Sequence, residues 1–280
     1  MRRLVVRIVG INLYPVKSTR ARAVDRARVE HWGLAGDRRW AVVAPDGEPI
    51  TARQCRALFT VTAENLPGDS LRLTAPGAPD LVVPRPEPVH DVPVGFINLD
   101  HAAAGGDAAD EWLTATLGRP ARLVWLADPT ARAVPSDVGG LPGDVYQLGD
   151  TAPIHVVTLG SLRRLDDWIA ETAVERGEEL PEPLEVGRFR ANVVVEGAPA
   201  FAEDDWQRLR LGPVDFRVAG PCGRCVMTTI DPDSREGGKE PIRTLARHRR
   251  SGGWAWFGIQ LVPQTLGEIA VGDPVEVLHP

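Results

Sequence analysis

The apolar residues of this chain come in short runs closed by turn residues, and that spacing constrains the fold more than any other feature. Arg7 to Val16 alternates loosely and ends at Pro15-Val16-Lys17-Ser18. Arg39 to Ala44 runs into Pro45-Asp46-Gly47-Glu48, a turn sequence. Thr60 to Ala63 and Leu71 to Thr74 are bracketed by Pro-Gly-Asp and Ala-Pro-Gly, and Leu81 to Val83 and Val92 to Leu99 continue the pattern. Segments this short, in close succession, predict a small β-barrel or sandwich rather than a helical domain.

The pattern then changes. Asp107 to Leu117 reads as a helix with an acidic first turn, suited to the positive end of the helix dipole, and it stops at Gly118. Arg122 to Leu126 reads as a strand, followed by a Gly/Pro-rich loop over Asp128 to Asp150 that is long enough to be functional. Ile154 to Thr158 is a strand, and Gly160 to Arg176 a helix with Leu162, Leu165, Trp168 and Ile169 on one face. Ala191 to Glu196 has the apolar run of a buried strand. Leu209 to Ala219 and Val226 to Ile230 read as strands flanking a cysteine pair. Ile242 to Arg250 reads as a short helix, and Ile259 to Val262 and Val275 to Leu278 as closing strands. With 280 residues the chain suits two ordinary domains, and the shift in pattern puts the boundary near residue 120.

Composition excludes several functions. A hydrophobic fraction of 43% supports a real core. A net charge of −6 does not suit a dedicated nucleic-acid binder. No apolar run approaches the roughly 18–20 residues of a membrane span, and the start at Met1-Arg2-Arg3-Leu4-Val5 lacks the features of a signal peptide. A soluble, cytoplasmic protein is the expectation. Three cysteines, Cys55, Cys222 and Cys225, exclude a four-cysteine iron–sulfur cluster within the chain and argue against a disulfide framework. His31, His90, His101, His155, His248 and His279 form no metal or triad pattern, and neither GxGxxG nor GxxxxGK[ST] occurs.

Three features carry candidate chemistry. Of 32 basic residues only Lys17 and Lys239 are lysine, so a retained lysine marks a position that favours a compact ammonium over a planar guanidinium. Lys17, Arg38, Arg53, Arg188 and Arg190 all fall in loops or at strand ends; brought together, such residues make a phosphate pocket. Asn192, at the mouth of a buried strand, either reads a heterocycle edge with its amide or caps a backbone group. In Cys222-Gly223-Arg224-Cys225 a second ligand pair for zinc is missing, and the β-rich residues that follow do not suit a thioredoxin-like motif. Two readings remain: a pair of buried small residues, or a single thiolate for a soft metal, kept ionised by Arg224.

Taken together, the ordered segments resemble the MOSC family in its two-part form, closest to the mitochondrial amidoxime-reducing component and its bacterial relatives. They are Tyr14-Pro15-Val16-Lys17-Ser18, Gly33 through Trp40, Thr51-Ala52-Arg53-Gln54, Asp150-Thr151-Ala152-Pro153, Arg188 through Asn192, Cys222 through Pro232, Phe257-Gly258 and Val271 through Val275. The resemblance implies a β-rich α+β fold. An N-terminal β-barrel-like domain over 1–120 precedes a MOSC-type mixed β-barrel domain with peripheral helices over 121–280. It implies a molybdenum cofactor with Cys225 as metal ligand and Cys222 nearby but not coordinating. Lys17, Ser18, Arg38, Arg53, Thr151, Ala152, Arg188, Arg190, Asn192, Gly223 and Arg224 are the implied cofactor-binding residues. Ala152 replaces a hydroxyl residue found in some relatives. The implied activity is reduction of N-hydroxylated small molecules, with electrons from an external ferredoxin-like or flavoprotein donor. The alternative is a cofactor or sulfur carrier using a Cys225 persulfide. Pyridoxal phosphate on Lys17 is a third reading, for which no pyridinium partner is apparent.

Overall fold

The computed structural model describes residues 6–89 and 92–279, so residues 1–5, His90, Asp91 and Pro280 lie outside the described residues. The chain forms two compact units that interleave in sequence. One takes the segment through Asn12, then Ala23–Glu30, then everything from Ala152. The other takes Leu13–Arg22 and His31–Thr151. The sequence-based boundary near residue 120 is a single cut along the chain, whereas long-range strand pairing recruits N-terminal segments to the C-terminal unit. Arg7–Leu13 pairs with Val193–Glu196, and Arg26–Glu30 pairs with Gly267–Ala270.

The C-terminal unit is organised around one large sheet. Its strands follow the order Val275–His279, Arg208–Leu211, Val214–Arg224, Trp254–Pro263, Ile154–Thr158, Val193–Glu196, Arg7–Leu13. The pair Ile154–Thr158 and Val193–Glu196 is parallel. Parallel neighbours need a crossover, which the helix Leu159–Arg176 supplies. The Thr158 hydroxyl caps that helix by accepting from Ser161 N at 3.2 Å, and Gly177, at φ +64°, ends it. Leu162, Leu165 and Ile169 face inward and, with Phe189, Val194 and Phe257, form the core beneath the sheet. Burial of each leucine or isoleucine contributes about 1.5–3 kcal/mol.

The other unit holds an antiparallel sheet ordered Trp40–Val43, Arg122–Trp125, Leu99–Ala104, Val92–Phe96, and a meander of Thr62–Asn65, Leu71–Thr74 and Leu81–Val83. Ala41, Val43, Val124, Leu126 and Leu148 are fully buried in one core cluster with Val92, Val94 and Phe96 of the four-stranded sheet. The helix Asp107–Leu117 carries its acidic first turn and ends at left-handed Gly118, as the sequence predicts. The long loop contains only short 3-10 turns and no strand. It is pinned by Arg132, which is 2% exposed. Arg132 donates to Ile97 O at 2.9 Å, to Gly149 O at 3.0 Å and to Gln147 O, and lies 3.8 Å from the Tyr146 ring centroid. Burial lowers its pKa to about 10, which leaves it charged at neutral pH.

Three expected strands differ. Val92 to Leu99 is the bend of a hairpin, Val92–Phe96 and Leu99–Ala104, turning at Asn98 with φ +57°. Leu209 to Ala219 is likewise two strands, broken at Gly212 with φ +53°. Val226 to Ile230 is a 3-10 turn over Val226–Thr229. Its threonines are β-branched, but their hydroxyls donate to Cys225 O at 3.0 Å and Val226 O at 2.7 Å. Local side-chain hydrogen bonds of this kind compete with extended structure. Among the described residues no helix is long and apolar enough to cross a membrane.

Candidate functional site

Two groups of residues carry the candidate chemistry, one in each unit. In the N-terminal unit Lys17 is 9% exposed, and its Nζ donates to Leu148 O at 2.9 Å and to the Asp150 carboxylate. Burial lowers the Lys17 pKa, and the charge of Asp150 opposes that shift. The Asp150 side chain is 73% exposed. Its carboxyl is held well below the ordinary range, first by Lys17 and then by Arg38 and Arg53. Cations from three separate loops therefore act on one carboxylate at the surface.

Asp37 organises the floor of this group. It is fully buried and accepts from Tyr14 N at 2.8 Å, from Gln147 Nε2 at 2.9 Å and from Arg38 Nη1. The Arg38 guanidinium lies 4.5 Å from the Tyr14 ring centroid. Arg53 is exposed, with Nε 3.3 Å from Thr51 Oγ1. Ser18 is buried, and Thr151 is half-buried beside Asp150. Lys17, Arg38, Arg53 and the buried Arg132 are four cations set against two carboxylates, Asp37 and Asp150. An excess of positive charge of this kind suits an anion such as phosphate.

Backbone conformation marks the same residues. Among the described residues, seven non-glycine positions have positive φ, and three of them are sequence-predicted site residues: Ser18 at +69°, Arg38 at +44° and Arg190 at +54°. Such conformations are uncommon for side chains of this size and concentrate at functional sites.

In the C-terminal unit the strand Val214–Arg224 delivers the cysteine pair. Cys222 is buried and Cys225, the first residue past the strand, is partly exposed. Side chains alternate along a strand, so Cys222 and Arg224 share the inward face. Arg224 Nη1 donates to Cys222 Sγ at 2.9 Å and lies 3.4 Å from His155 Nε2, while its Nη2 donates to Phe189 O at 2.8 Å. Gln260 Nε2 is 3.6 Å from the same sulfur. The guanidinium thus serves Cys222, and Cys225 is presented to the outer face.

The remaining predicted residues lie close by in that unit. Asn192 is 1% exposed; its Oδ1 accepts from His155 N and its Nδ2 donates to Asn12 O, both at 3.2 Å. The amide therefore ties neighbouring strands through their main chains. Arg188 pairs with Asp231 at 2.6 Å. Arg190 closes the turn Val186–Phe189. Ala152 is half-buried just before Ile154–Thr158, and Gly223 lies in the strand between the cysteines.

Sequence reasoning missed Asp37, Arg132, Gln147, His155 and Gln260 as supports, and Asp150 as the shared partner of the cations. Asp37 and Asp150 had a signal, since each falls in a segment that carries the family resemblance. Arg132, Gln147, His155 and Gln260 had none, because their roles come from contacts between residues distant in sequence. Among the described residues no cluster of three His, Cys, Asp or Glu side chains offers a metal site built from protein alone.

Comparison with known proteins identifies the family. The MOSC N-terminal beta barrel domain matches residues 5–120, and the MOSC domain matches residues 143–276. The chain is 31% identical to human mitochondrial amidoxime-reducing component 1, over 95% of this chain and 81% of that protein. It is 32% identical to bovine mitochondrial amidoxime reducing component 2, over 94% and 80% respectively. Among solved structures, the YUAD protein from Bacillus subtilis is similar with a TM-score of 0.41 at 12% identity, covering 97% of this chain and 94% of that one.

Proposed function

This chain belongs to the MOSC family in its two-part form, and from that premise we propose that it is a molybdenum-cofactor-binding oxidoreductase that reduces N-hydroxylated small molecules. The observation that carries the reading is the set of cations around Asp150, whose surplus charge suits a phosphate. The partly exposed Cys225 adds a soft donor of the kind molybdenum takes. When bound, the cofactor supplies the two-electron chemistry that removes oxygen from nitrogen.

The protein's residues do the rest. Lys17, Arg38 and Arg53 hold the phosphate, with the buried Lys17 as a point charge and the arginines as planar forks. Asp37 fixes Arg38 from below, and Arg132 fixes the main chain leading to Asp150. Asp150 is the exchangeable counter-charge: its carboxylate, already 73% exposed, would yield Lys17 to the cofactor's phosphate. Cys225 provides the thiolate, while Arg224 and Gln260 hold Cys222 out of the way on the opposite face. Electrons come from an external ferredoxin-like or flavoprotein donor.

The test is metal and pterin analysis of wild type and Cys225→Ser, each expressed in hosts with and without molybdopterin synthesis. Near-stoichiometric molybdenum in wild type from the competent host, lost in the variant, supports the reading. Wild type without molybdenum overturns it. A labile sulfur on Cys225 in metal-free protein would instead identify a sulfur carrier.

A further inference from the structure

The outer face beside Cys225 carries two tryptophans. The strand Val214–Arg224 runs antiparallel to Trp254–Pro263, with Gly223 opposite Trp256 and Arg224 opposite Ala255. The ladder ends there, with Cys225 the next residue after Arg224 and Trp254 the residue before Ala255. Residues directly opposite in an antiparallel pair share a face, so Gly223 and Trp256 lie on the face away from Cys222, with Trp254 against the same glycine; Cys225, with extended backbone at φ −109° and ψ 174°, continues the alternation onto that face.

The local chain fixes this arrangement. Gly252 and Gly253, at φ +58° and +86°, make the tight turn between Arg250–Ser251 and Trp254–Pro263. Left-handed φ at both central residues matches the twist of a two-residue hairpin and makes Trp254 the first residue after it. Trp256 Nε1 donates to Ser251 O at 3.0 Å, which anchors that indole. Gly223 has no side chain for a physical reason: a Cβ there would lie 3.0 Å from Trp254 Cε3 and 3.5 Å from Trp256 Cζ3. The two rings pack over the glycine.

Trp254 nonetheless stays 54% exposed, and Val226, just past Cys225, is 58% exposed. Beyond Trp256 opens a cavity of about 790 Å³ lined by Trp206, Val218, Pro221 and Ile259 and edged by Arg208. Its lining does not include Cys225, and Trp256 links the two. A concave space of this volume is of small-molecule size.

We propose that Trp254 and Trp256 form a stacking platform for the ring of a planar aromatic or heteroaromatic substrate. Its N–O group is thereby presented at Cys225, and aromatic N-hydroxylated compounds are preferred over aliphatic ones. The proposal rests on the functional reading above. The occupant follows from position, because the exposed Trp254 packs over Gly223, two residues before the candidate metal ligand, and Trp256 beside it lines a cavity of ligand size. Indole faces bind flat rings by offset stacking, and removing such a ring typically weakens binding by roughly tenfold.

The test compares wild type, Trp254→Ala and Trp254→Phe at equal molybdenum content, with benzamidoxime and acetamidoxime as substrates. Benzamidine, which has no N–O bond to reduce, is titrated by saturation-transfer NMR against each protein made without cofactor. The benzamidoxime-to-acetamidoxime ratio of kcat/KM should fall about tenfold in Trp254→Ala, through KM, and recover in Trp254→Phe. Benzamidine affinity should fall in parallel. An unchanged ratio with unchanged benzamidine binding overturns the platform while leaving the enzyme reading intact. Wild type inactive on both substrates overturns the enzyme reading, and benzamidine binding that depends on Trp254 still supports the platform. A wild-type dimer that becomes monomeric in Trp254→Ala makes the face an interface between copies and overturns the proposal.

Discussion

Lys17 concentrates the argument at the residue scale. A buried ammonium is unfavourable unless paired, and Lys17 is paired with a carboxylate that is itself open to solvent. Lys17→Ala should reduce molybdenum retained on purification by roughly 10- to 100-fold in affinity, the equivalent of one charge-assisted contact of about 1.5–3 kcal/mol. Lys239 is exposed, and Lys239→Ala should retain metal at the wild-type level in the same assay. A comparable loss there would misplace the pocket. The cysteines should also separate. Cys225→Ser should lose metal. Cys222→Ser keeps an acceptor for Arg224 and should lose far less, as read by metal analysis of both. Arg224→Lys should behave worse than Cys222→Ser, since an ammonium cannot reach Cys222 and Phe189 O with the geometry of a fork.

At the scale of elements, the helix Leu159–Arg176 shows how a buried charge shapes stability. Glu203 is fully buried and accepts from Ser161 Oγ at 2.6 Å and Thr158 Oγ1 at 3.1 Å, at the start of that helix. Burial raises its pKa above the ordinary value of 4.5, and the two hydroxyl bonds only partly oppose the shift. The folded state therefore keeps the proton to higher pH than the unfolded chain does. The associated stability is complete below about pH 4.5 and is lost as pH rises through the raised folded value. Glu203→Gln should remove that loss: its Tm relative to wild type should climb as pH rises from 4.5 toward 8. A flat difference across that range would mean that Glu203 does not titrate there. On the same helix Leu165 is completely buried, and Leu165→Ala should cost about 2–5 kcal/mol in urea denaturation.

At the scale of the whole molecule, cofactor and fold should be linked. A ligand that binds only the folded state stabilises it by RT ln(1 + [L]/Kd), about 4 kcal/mol at a thousandfold excess over Kd. Protein from a host that makes molybdopterin should therefore melt several degrees above protein from a host that does not. In Cys225→Ser and Lys17→Ala the difference between hosts should shrink. Equal melting of wild type from both hosts would mean that nothing bound. This experiment reads binding without relying on turnover.

Much of the fold was legible along the chain because its signals are local. Leu71–Thr74, Leu81–Val83, Asp107–Leu117 and Ile154–Thr158 fall where apolar period and turn residues put them. The errors were local conflicts, as at Val226–Thr229, where threonine hydroxyls bonded to nearby carbonyls and overrode β propensity. The candidate site was legible as an ordered set of residues, with the rarity of lysine pointing to Lys17. Sequence alone determined which side chains were available: two lysines, thirty arginines, one cysteine pair and short strands to carry them. Only the tertiary structure decided their use. It paired Lys17 with Asp150, within the electrostatic reach of Arg38 and Arg53, and it turned Arg224 toward Cys222 and packed Trp254 over Gly223. The physical reason is that strand register fixes the face each side chain takes, while charges act through space and are indifferent to separation along the chain.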